Sequence, residues 1–533
     1  MKKLREMLLD EDYDKIWKAY CGFLDLTLDE FMEIQKRLLL EQIDLLSKCN
    51  LGKELLGTGK IQTIEDFRKK VPLTRYEDYA DTLLNKRSED LPSEPLHWVQ
   101  TTWKGGDKPI KLAPYSKVMV EEHTKMFLSS LILSTSKKRG HFTLRNFDKF
   151  LYGMAPLPYL TGFAPYILKH EVDFKYLPST DQAEKLSFKE RNLVGFDLAV
   201  RKGADLFFGL SSVLVKIGEA FESGSNSNRK LIWPSNPKQA VKILKAGYKK
   251  KIKKEKLLPK DLFEFKGIVC GGTDSDTYKS QIEHYFGITP LEIFGGTESA
   301  AVATETWSRN GLTFFPDVNF LEFIPEEEMK KEQEVDNYIP KTLLFNEILP
   351  GNIYELVITK LRGGAFVRYR IGDIMRCTGL ENREDKIALP QVKYIDRVNN
   401  IIDLSGFTRI TKQLIGDSIK LSGLTVGGWT AYKEIGETSP YLNLFIEGEF
   451  NLPKEDIKKI INDQMKLMDT DYNDVHALLG HEPLKLTIFK EGTFSRFKEL
   501  YKNDIAKINP NGEDVQKLIL CSGTIWHNKE EVA

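Results

Sequence analysis

Apolar residues in the first 60 positions recur at roughly helical spacing among charges, as in Leu24, Leu26, Phe31, Ile34, Leu38 and Ile43. This predicts an amphipathic, helical opening segment over 1–60. Between 96 and 320 the rhythm changes to short apolar runs alternating with amphipathic stretches, the pattern of α/β structure. Two of these runs end in paired glycines: Gly267-Ile268-Val269-Cys270 before Gly271-Gly272, and Leu291-Glu292-Ile293-Phe294 before Gly295-Gly296. Each reads as a buried strand that stops at a glycine turn and leads into a helix. In open α/β sheets, ligands gather at such carboxyl ends of strands. From 311 to 378, period-two alternation with intervening Gly or Pro predicts antiparallel hairpins, with strands at 318–324, 353–359 and 366–369. Residues 401–533 read as a separate, small α+β domain with strands near 441–446 and 484–489.

Composition narrows the class. Hydrophobic residues at 41% and charged residues at 29% over 533 positions describe a soluble, folded chain with ample core. Lys plus Arg and Asp plus Glu both total 77, so no global field draws nucleic acid or an anionic membrane, and any anion site has to be local. The lysine-rich run 249–256 lacks interleaved aromatics and reads as a solvated helix end. Five scattered cysteines without a Cys-x-x-Cys pair fit reduced thiols, and the eight histidines never cluster with them as metal ligands. The acidic start lacks the apolar centre of a signal peptide, and the longest apolar patch, 126–133, is too short to span a bilayer. A cytoplasmic location with no membrane partner is the expectation.

Three segments carry chemistry. In Phe294-Gly295-Gly296-Thr297-Glu298-Ser299 the glycines permit close approach of a ligand to backbone. Thr297 offers a donor to phosphate, and Glu298 a hard oxygen ligand for Mg²⁺. The same letters also spell a glycine turn and a helix N-cap. In Val367-Arg368-Tyr369-Arg370-Ile371-Gly372-Asp373 a carboxylate follows a glycine turn, suited to ribose hydroxyls; the alternative is an Asp that caps its own turn. Tyr394-Ile395-Asp396-Arg397-Val398-Asn399-Asn400 is a polar break between apolar strands, hence a candidate hinge over 396–400 or a plain surface turn. A fourth stretch, QTTWKGGDKPIK at 100–111, has hydroxyls, glycines and lysines but no Walker spacing.

In this order the segments resemble the adenylate-forming superfamily of acyl-activating enzymes, and within it the acyl-acid amido synthetase branch, the Gretchen Hagen family, as a microbial-type member. VPLTRYEDY at 71–79, FLEFIP at 320–325, GNIYELVIT at 351–359 and EGTF at 491–494 are similar to further landmarks of that branch. The resemblance implies a large N-terminal α/β adenylation domain over 1–395 with an associated β-rich part, a hinge at Asp396 to Asn400, and a mobile α+β C-terminal domain. It implies ATP and Mg²⁺ as cofactors, and a small carboxylic acid plus an amine or thiol acceptor as partners. On it, Thr297 contacts the α-phosphate, Glu298 the metal, and Phe294 the adenine, with the Gly271-Gly272 backbone along the adenine edge and Gly295-Gly296 close to the nucleotide. Asp373 binds the ribose, joined by Arg397 at the domain boundary.

Some positions depart from the family pattern. The phosphate loop is replaced by Thr101, Thr102, Trp103, Lys104, Gly105, Gly106, Asp107 and Lys108, before a matching KLAP at 111–114. Thr101, Thr102, Lys104, Gly105, Gly106 and Lys108 are expected to face the ATP phosphates. Thr411 stands where relatives carry Glu, and Lys517 is a loose counterpart of a terminal catalytic lysine. An acyl pocket is expected between about 150 and 215, walled by Tyr152, Tyr159, Phe163, Phe208 and Ser211, although such an aromatic stripe also reads as plain core. The expected activity is a ligase that adenylates a carboxylic acid and transfers the acyl group to an amine, with an amino acid as the expected acceptor. Thioester formation with coenzyme A or a carrier, and a nucleotide-binding homologue without turnover, are the alternatives.

Overall fold

Helix formation begins with a local signal at Thr27. Its hydroxyl accepts from the Glu30 N–H while the Glu30 carboxylate accepts from the Thr27 N–H, a capping box that starts the helix Leu28–Ser47. That helix buries Phe31, Leu38, Leu39, Ile43 and Leu46, but also Gln35 and Gln42. The two amides satisfy main-chain groups: Gln35 bonds Pro316, Asn319 and Leu321, and Gln42 bonds Gly363 and Gly364. The opening helices are thereby joined to the β-rich part by hydrogen bonds as well as by apolar packing.

The computed structural model describes residues 2–57, 59–102, 110–153, 157–223, 237–272, 275–335, 337–397, 401–404, 408–436, 440–479 and 481–523. The chain divides into two compact units, Met1–Asp396 and Arg397–Ala533. In the first, β1 (His97–Thr102) and β2 (Ile110–Tyr115) form an antiparallel hairpin. A seven-stranded sheet contains β3 (Lys149–Gly153), β4 (Lys175–Leu177), β5 (Leu206–Leu210), β6 (Gly267–Gly271), β7 (Leu291–Gly296), β8 (Ala300–Thr304) and β9 (Thr313–Phe314), in the order β4-β3-β5-β6-β7-β8-β9. The strands from β4 to β7 are parallel, and β5 is buried at every position, as a doubly covered parallel sheet requires. The helix Lys117–Ser134 packs on β6, β7 and β8, whereas Phe188–Lys202 packs on β3 and β4.

A second sheet holds β10 (Asn319–Pro325), β11 (Leu343–Leu344), β12 (Ile353–Lys360), β13 (Tyr369–Gly379) and β14 (Gln391–Arg397), ordered β11-β10-β12-β13-β14. In the second unit, β15 (Ile401–Leu404) pairs with β16 (Thr408–Thr411). There β17 (Gly428–Ile435), β18 (Pro440–Glu447) and β19 (Leu484–Phe489) form a mixed sheet. Its core includes Leu442, Leu444, Ile446, Ile457, Ile461 and Met465, the last three from the helix Lys454–Met468. The expected class, α/β with a β-rich part and a small α+β portion, is what the chain adopts.

Three local expectations are corrected. Gly271-Gly272 does precede a helix, Ser275–Phe286, but Gly295-Gly296 leads into the antiparallel strand β8 and no helix cap forms there. The register shifts between Phe294 and Gly295, and a Cβ on Gly295 would lie 2.1 Å from the Ala300 carbonyl oxygen, so the glycine serves a tight reversal. Residues 366–368 are not a strand, because Arg368 has φ +44° and β13 begins at Tyr369. Gly372, expected in a turn, sits inside β13 at φ +84°, where the pairing with β12 jumps from Val357↔Arg370 to Glu355↔Ile374. This bulge sets the direction of Asp373.

The backbone at Arg368 is held by its own side chain. The guanidinium makes two hydrogen bonds to the buried Glu322 carboxylate, at 2.8 and 3.0 Å, and donates to the Arg68 and Val71 carbonyls. Removing one member of a buried ion pair strands the other. Arg368→Met should therefore lower the stability of the first unit by ~3–5 kcal/mol, read as a drop in its urea midpoint. Arg368→Met/Glu322→Leu should recover part of the loss; a double variant no better than the single one would refute this account.

Candidate functional site

The tight reversal after β7 points Glu298 inward, leaving it 8% exposed. Its Oε1 accepts from Lys111 Nζ at 3.0 Å and from the Tyr369 hydroxyl at 3.0 Å, and Lys111 also donates to the Tyr369 oxygen at 3.0 Å. The ammonium lies 5.1 Å from the ring centre of Tyr76 and 5.7 Å from that of Tyr369, a cation held between aromatic faces. Lys111 reaches this position from β2, where it is the cross-strand partner of Thr101 on β1. Directly opposed residues share a face of a hairpin, so Thr101 lies on the side that carries the Lys111–Glu298 pair.

The neighbouring main chain is fixed with equal care. The Tyr115 hydroxyl donates to the Thr297 carbonyl at 2.8 Å. Tyr76 accepts from the Leu112 N–H at 2.6 Å and donates to the Leu112 carbonyl at 3.0 Å, which locks the hairpin stem. Burial above all, with the charge of Glu298 adding to it, pushes the Tyr115 and Tyr76 phenols well above their ordinary range, so both stay protonated donors. The Ser299 carbonyl accepts from Asn319 Nδ2 at 2.9 Å and Lys360 Nζ at 2.8 Å. Lys360 is 2% exposed, and burial brings its ammonium down to about 7 despite the opposing charges of Glu122 and Asp317. Thr297, Glu298 and Ser299 are each held by a separate set of donors.

The residues expected at the site fall into several groups. Gly271 ends β6 and Gly272 follows it with φ +120°, at the carboxyl edge of the parallel sheet. Phe294 is buried at the end of β7 with its ring 5.8 Å from that of Tyr394, and Gly295-Gly296 follow it. Asp373 is 4% exposed on β13, four residues beyond Tyr369. Thr102 pairs in backbone with Ile110, whereas Lys104, Gly105, Gly106 and Lys108 lie outside the described residues. Tyr152 and Phe208 are buried cross-strand partners with ring centres 5.8 Å apart, and Ser211 starts the helix after β5. Phe163 packs at 4.4 Å from His97 of β1, and Tyr159 bridges to Gln100 of the same strand. Arg397 ends β14 and begins the second unit. Asn400 and the side chain of Asp396 lie outside the described residues. Lys517, on the helix Gly512–Cys521, pairs with Glu513 at 2.7 Å in an i,i+4 contact typical of a solvated helix surface.

Sequence reasoning missed Lys111, Tyr115, Tyr76, Tyr369, Asn319 and Lys360. Lys111 and Tyr369 stood inside quoted motifs, but they lie 187 and 71 residues from Glu298 in the chain, and no spacing rule announces that they meet. Lys360 also gives a test. Between about pH 7 and the ordinary lysine range the unfolded chain holds a proton that folded Lys360 has released, so stability rises with pH across that window. The urea midpoint should climb from about pH 7 to about pH 9, and Lys360→Met should flatten the climb; an unchanged slope in the variant would refute the assignment.

Comparison with known proteins follows the same geography. Residues 22–150 match the GH3 family N-terminal domain and 312–397 the GH3 family central domain. The indole-3-acetic acid-amido synthetase GH3.3 of Arabidopsis thaliana is 24% identical over 246 residues, which is 44% of this chain and 37% of that protein. The 4-substituted benzoates-glutamate ligase GH3.12 of the same plant is 22% identical over 209 residues, 36% of this chain and 33% of that protein. These matches thus span about a third of the length of the curated relatives. In fold, the chain resembles the AtGH3.15 acyl acid amido synthetase in complex with 2,4-DB (TM-score 0.53, 16% identity, 94% of this chain and 96% of that one). It also resembles 2-hydroxyisobutyryl-CoA ligase in complex with 2-HIB-AMP and CoA (TM-score 0.54, 13% identity, 90% and 93%). The chain thus carries, in order, segments that match the N-terminal and central domains of the GH3 family, on a fold shared with the AtGH3.15 acyl acid amido synthetase.

Proposed function

We propose that the chain uses ATP to convert a carboxylic acid into an acyl-adenylate with release of pyrophosphate, and then passes the acyl group to the amine of an amino acid. The observation that carries this reading is the Thr297-Glu298-Ser299 reversal, braced by Lys111 and Tyr369 at the carboxyl end of a parallel sheet. Attack of a carboxylate on the α-phosphorus brings two anions together, so the protein's task is to position them and balance charge. Thr297 would donate to the α-phosphate, Phe294 would pack on adenine beside the Gly271-Gly272 backbone, and Asp373 would accept from the ribose hydroxyls. Lys111 would offer a cation to the reacting phosphate, and the Tyr115 hydroxyl holds the Thr297 carbonyl at 2.8 Å.

Among the described residues, no group of three His, Cys, Asp or Glu side chains forms a metal cage. A single buried carboxylate completed by phosphate oxygens is the habit of Mg²⁺, and Glu298 fits it. Bound there, the ion would neutralise phosphate charge. Arg397 and Lys517 would serve the same chemistry from the second unit, across a hinge at Asp396 to Asn400. The names of the relatives support an amine acceptor, and the fold shared with 2-hydroxyisobutyryl-CoA ligase supports thioester formation as the second reading.

Acid-dependent exchange of labelled pyrophosphate into ATP, run across a carboxylic-acid panel, tests the first half-reaction. Glu298→Gln and Asp373→Asn should each lower exchange by about 100-fold or more, while Lys517→Ala in the same assay separates a catalytic from a surface lysine. Product masses with amino acids and with coenzyme A then identify the acceptor. ATP binding without exchange for any acid would overturn the proposal in favour of a nucleotide-binding homologue.

A further inference from the structure

The helix Pro237–Lys251 and the turn after it concentrate charge that the balanced chain conceals. Residues 237–256 contain nine lysines and one glutamate. Three of the lysines are paired: Lys242 with Glu264 at 3.2 Å, Lys249 with Asp261 at 2.9 Å and Lys256 with Glu222 at 3.0 Å. Lys238, Lys245, Lys251, Lys253 and Lys254 have no acidic partner among the described residues.

The apolar residues of this segment are the unusual part. Val241 is 51% exposed, Leu244 72%, Tyr248 57% and Ile252 65%. At helical spacing these four fall within an arc of roughly 80°, with Lys238 and Lys245 along one margin and Lys251 along the other. They do not hold the helix in place. Its inner face does so through Ala246, which is buried, and Gln239, whose amide donates to the Val200 and Leu262 carbonyls at 2.6 and 2.7 Å. A stripe of large apolar side chains left outside, edged by cations, is the composition of a helix that lies in a lipid headgroup layer.

The geometry points to this face as a docking surface for an anionic lipid bilayer. The lysines would meet lipid phosphates, and Leu244, Tyr248 and Ile252 would enter the boundary between headgroups and acyl chains. A polyanion such as duplex DNA satisfies the lysines and gives Val241 and Leu244 nothing to gain. The exposed apolar stripe therefore favours lipid. A surface of this kind would hold the protein beside a source of poorly soluble acids.

The test is co-sedimentation of the full chain with phosphatidylcholine vesicles, with and without phosphatidylglycerol. Binding is expected only to the anionic vesicles, and it should weaken as salt rises. Leu244→Glu/Ile252→Glu should abolish it, and Lys245→Gln/Lys251→Gln/Lys253→Gln should reduce partitioning by about 100-fold, at roughly 1 kcal/mol per lysine. Tyr248→Trp supplies an insertion probe whose emission should shift to the blue on anionic vesicles. Unchanged circular dichroism in each variant confirms that the exposed substitutions leave the fold intact. No sedimentation with anionic vesicles, or binding indifferent to Leu244→Glu/Ile252→Glu, would overturn the proposal; binding to duplex DNA or an acidic protein in place of vesicles would do the same.

Discussion

The contact on which the candidate site depends is the triangle of Lys111, Glu298 and Tyr369, with all three sides at 3.0 Å. Withdrawing a carboxylate from water costs several kcal/mol unless a counterion and further donors replace the lost hydration. Here the ammonium supplies the charge and the phenol supplies a second donor. The three residues come from the hairpin, the reversal after β7 and the start of β13. Satisfying one buried charge therefore aligns three otherwise distant parts of the chain, and the backbone bonds from Tyr115, Asn319 and Lys360 hold the reversal in that alignment.

A second set of bonds ties the same region to the β-rich sheet. The Thr74 N–H donates to the Arg368 carbonyl at 3.0 Å, the Arg370 N–H donates to the Thr74 carbonyl at 2.9 Å, and Tyr79 accepts from the Val367 N–H at 2.9 Å. Arg370 pairs with both Glu355 and Glu332, while Arg368 pairs with Glu322. Both arginines are thus committed to buried carboxylates. Their neighbours Tyr369 and Asp373 point elsewhere, and the bulge at Gly372 separates the two roles along one strand.

Local pattern revealed much of this arrangement. Period-two alternation located β10 and β12 to within a residue or so, although both strands are buried at nearly every position, and the apolar runs before Gly271 and Gly295 marked strands of the parallel sheet. Pattern failed where backbone conformation depends on distant atoms. Phe366 to Arg368 has the composition of a strand, but Glu322 and two carbonyls draw Arg368 into positive φ. Gly295-Gly296 has the letters of a helix entrance, but the chain reverses there because only a glycine fits against Ala300. Glu298 and Asp373 were visible because each stands just after an apolar run and a glycine, within a short motif. Lys111 and Lys360 were two among many lysines, and only folding distinguishes them from solvated ones.

The glutamines of the first long helix have a different kind of consequence. Gln35 and Gln42 contact Pro316, Asn319, Leu321, Gly363 and Gly364 solely through main-chain atoms of those residues. An amide side chain that reads peptide groups is indifferent to which side chains its partners carry. The sheet-side positions are then free of any reciprocal demand from Gln35 and Gln42, whereas the two glutamines are not free in return. At these contacts the seam is directional in information, and substitutions there need not travel in pairs, whereas the apolar cluster beside them, in which Leu38, Leu39, Ile43 and Leu46 join Phe320, Leu344, Leu361 and Val367, couples side chain to side chain.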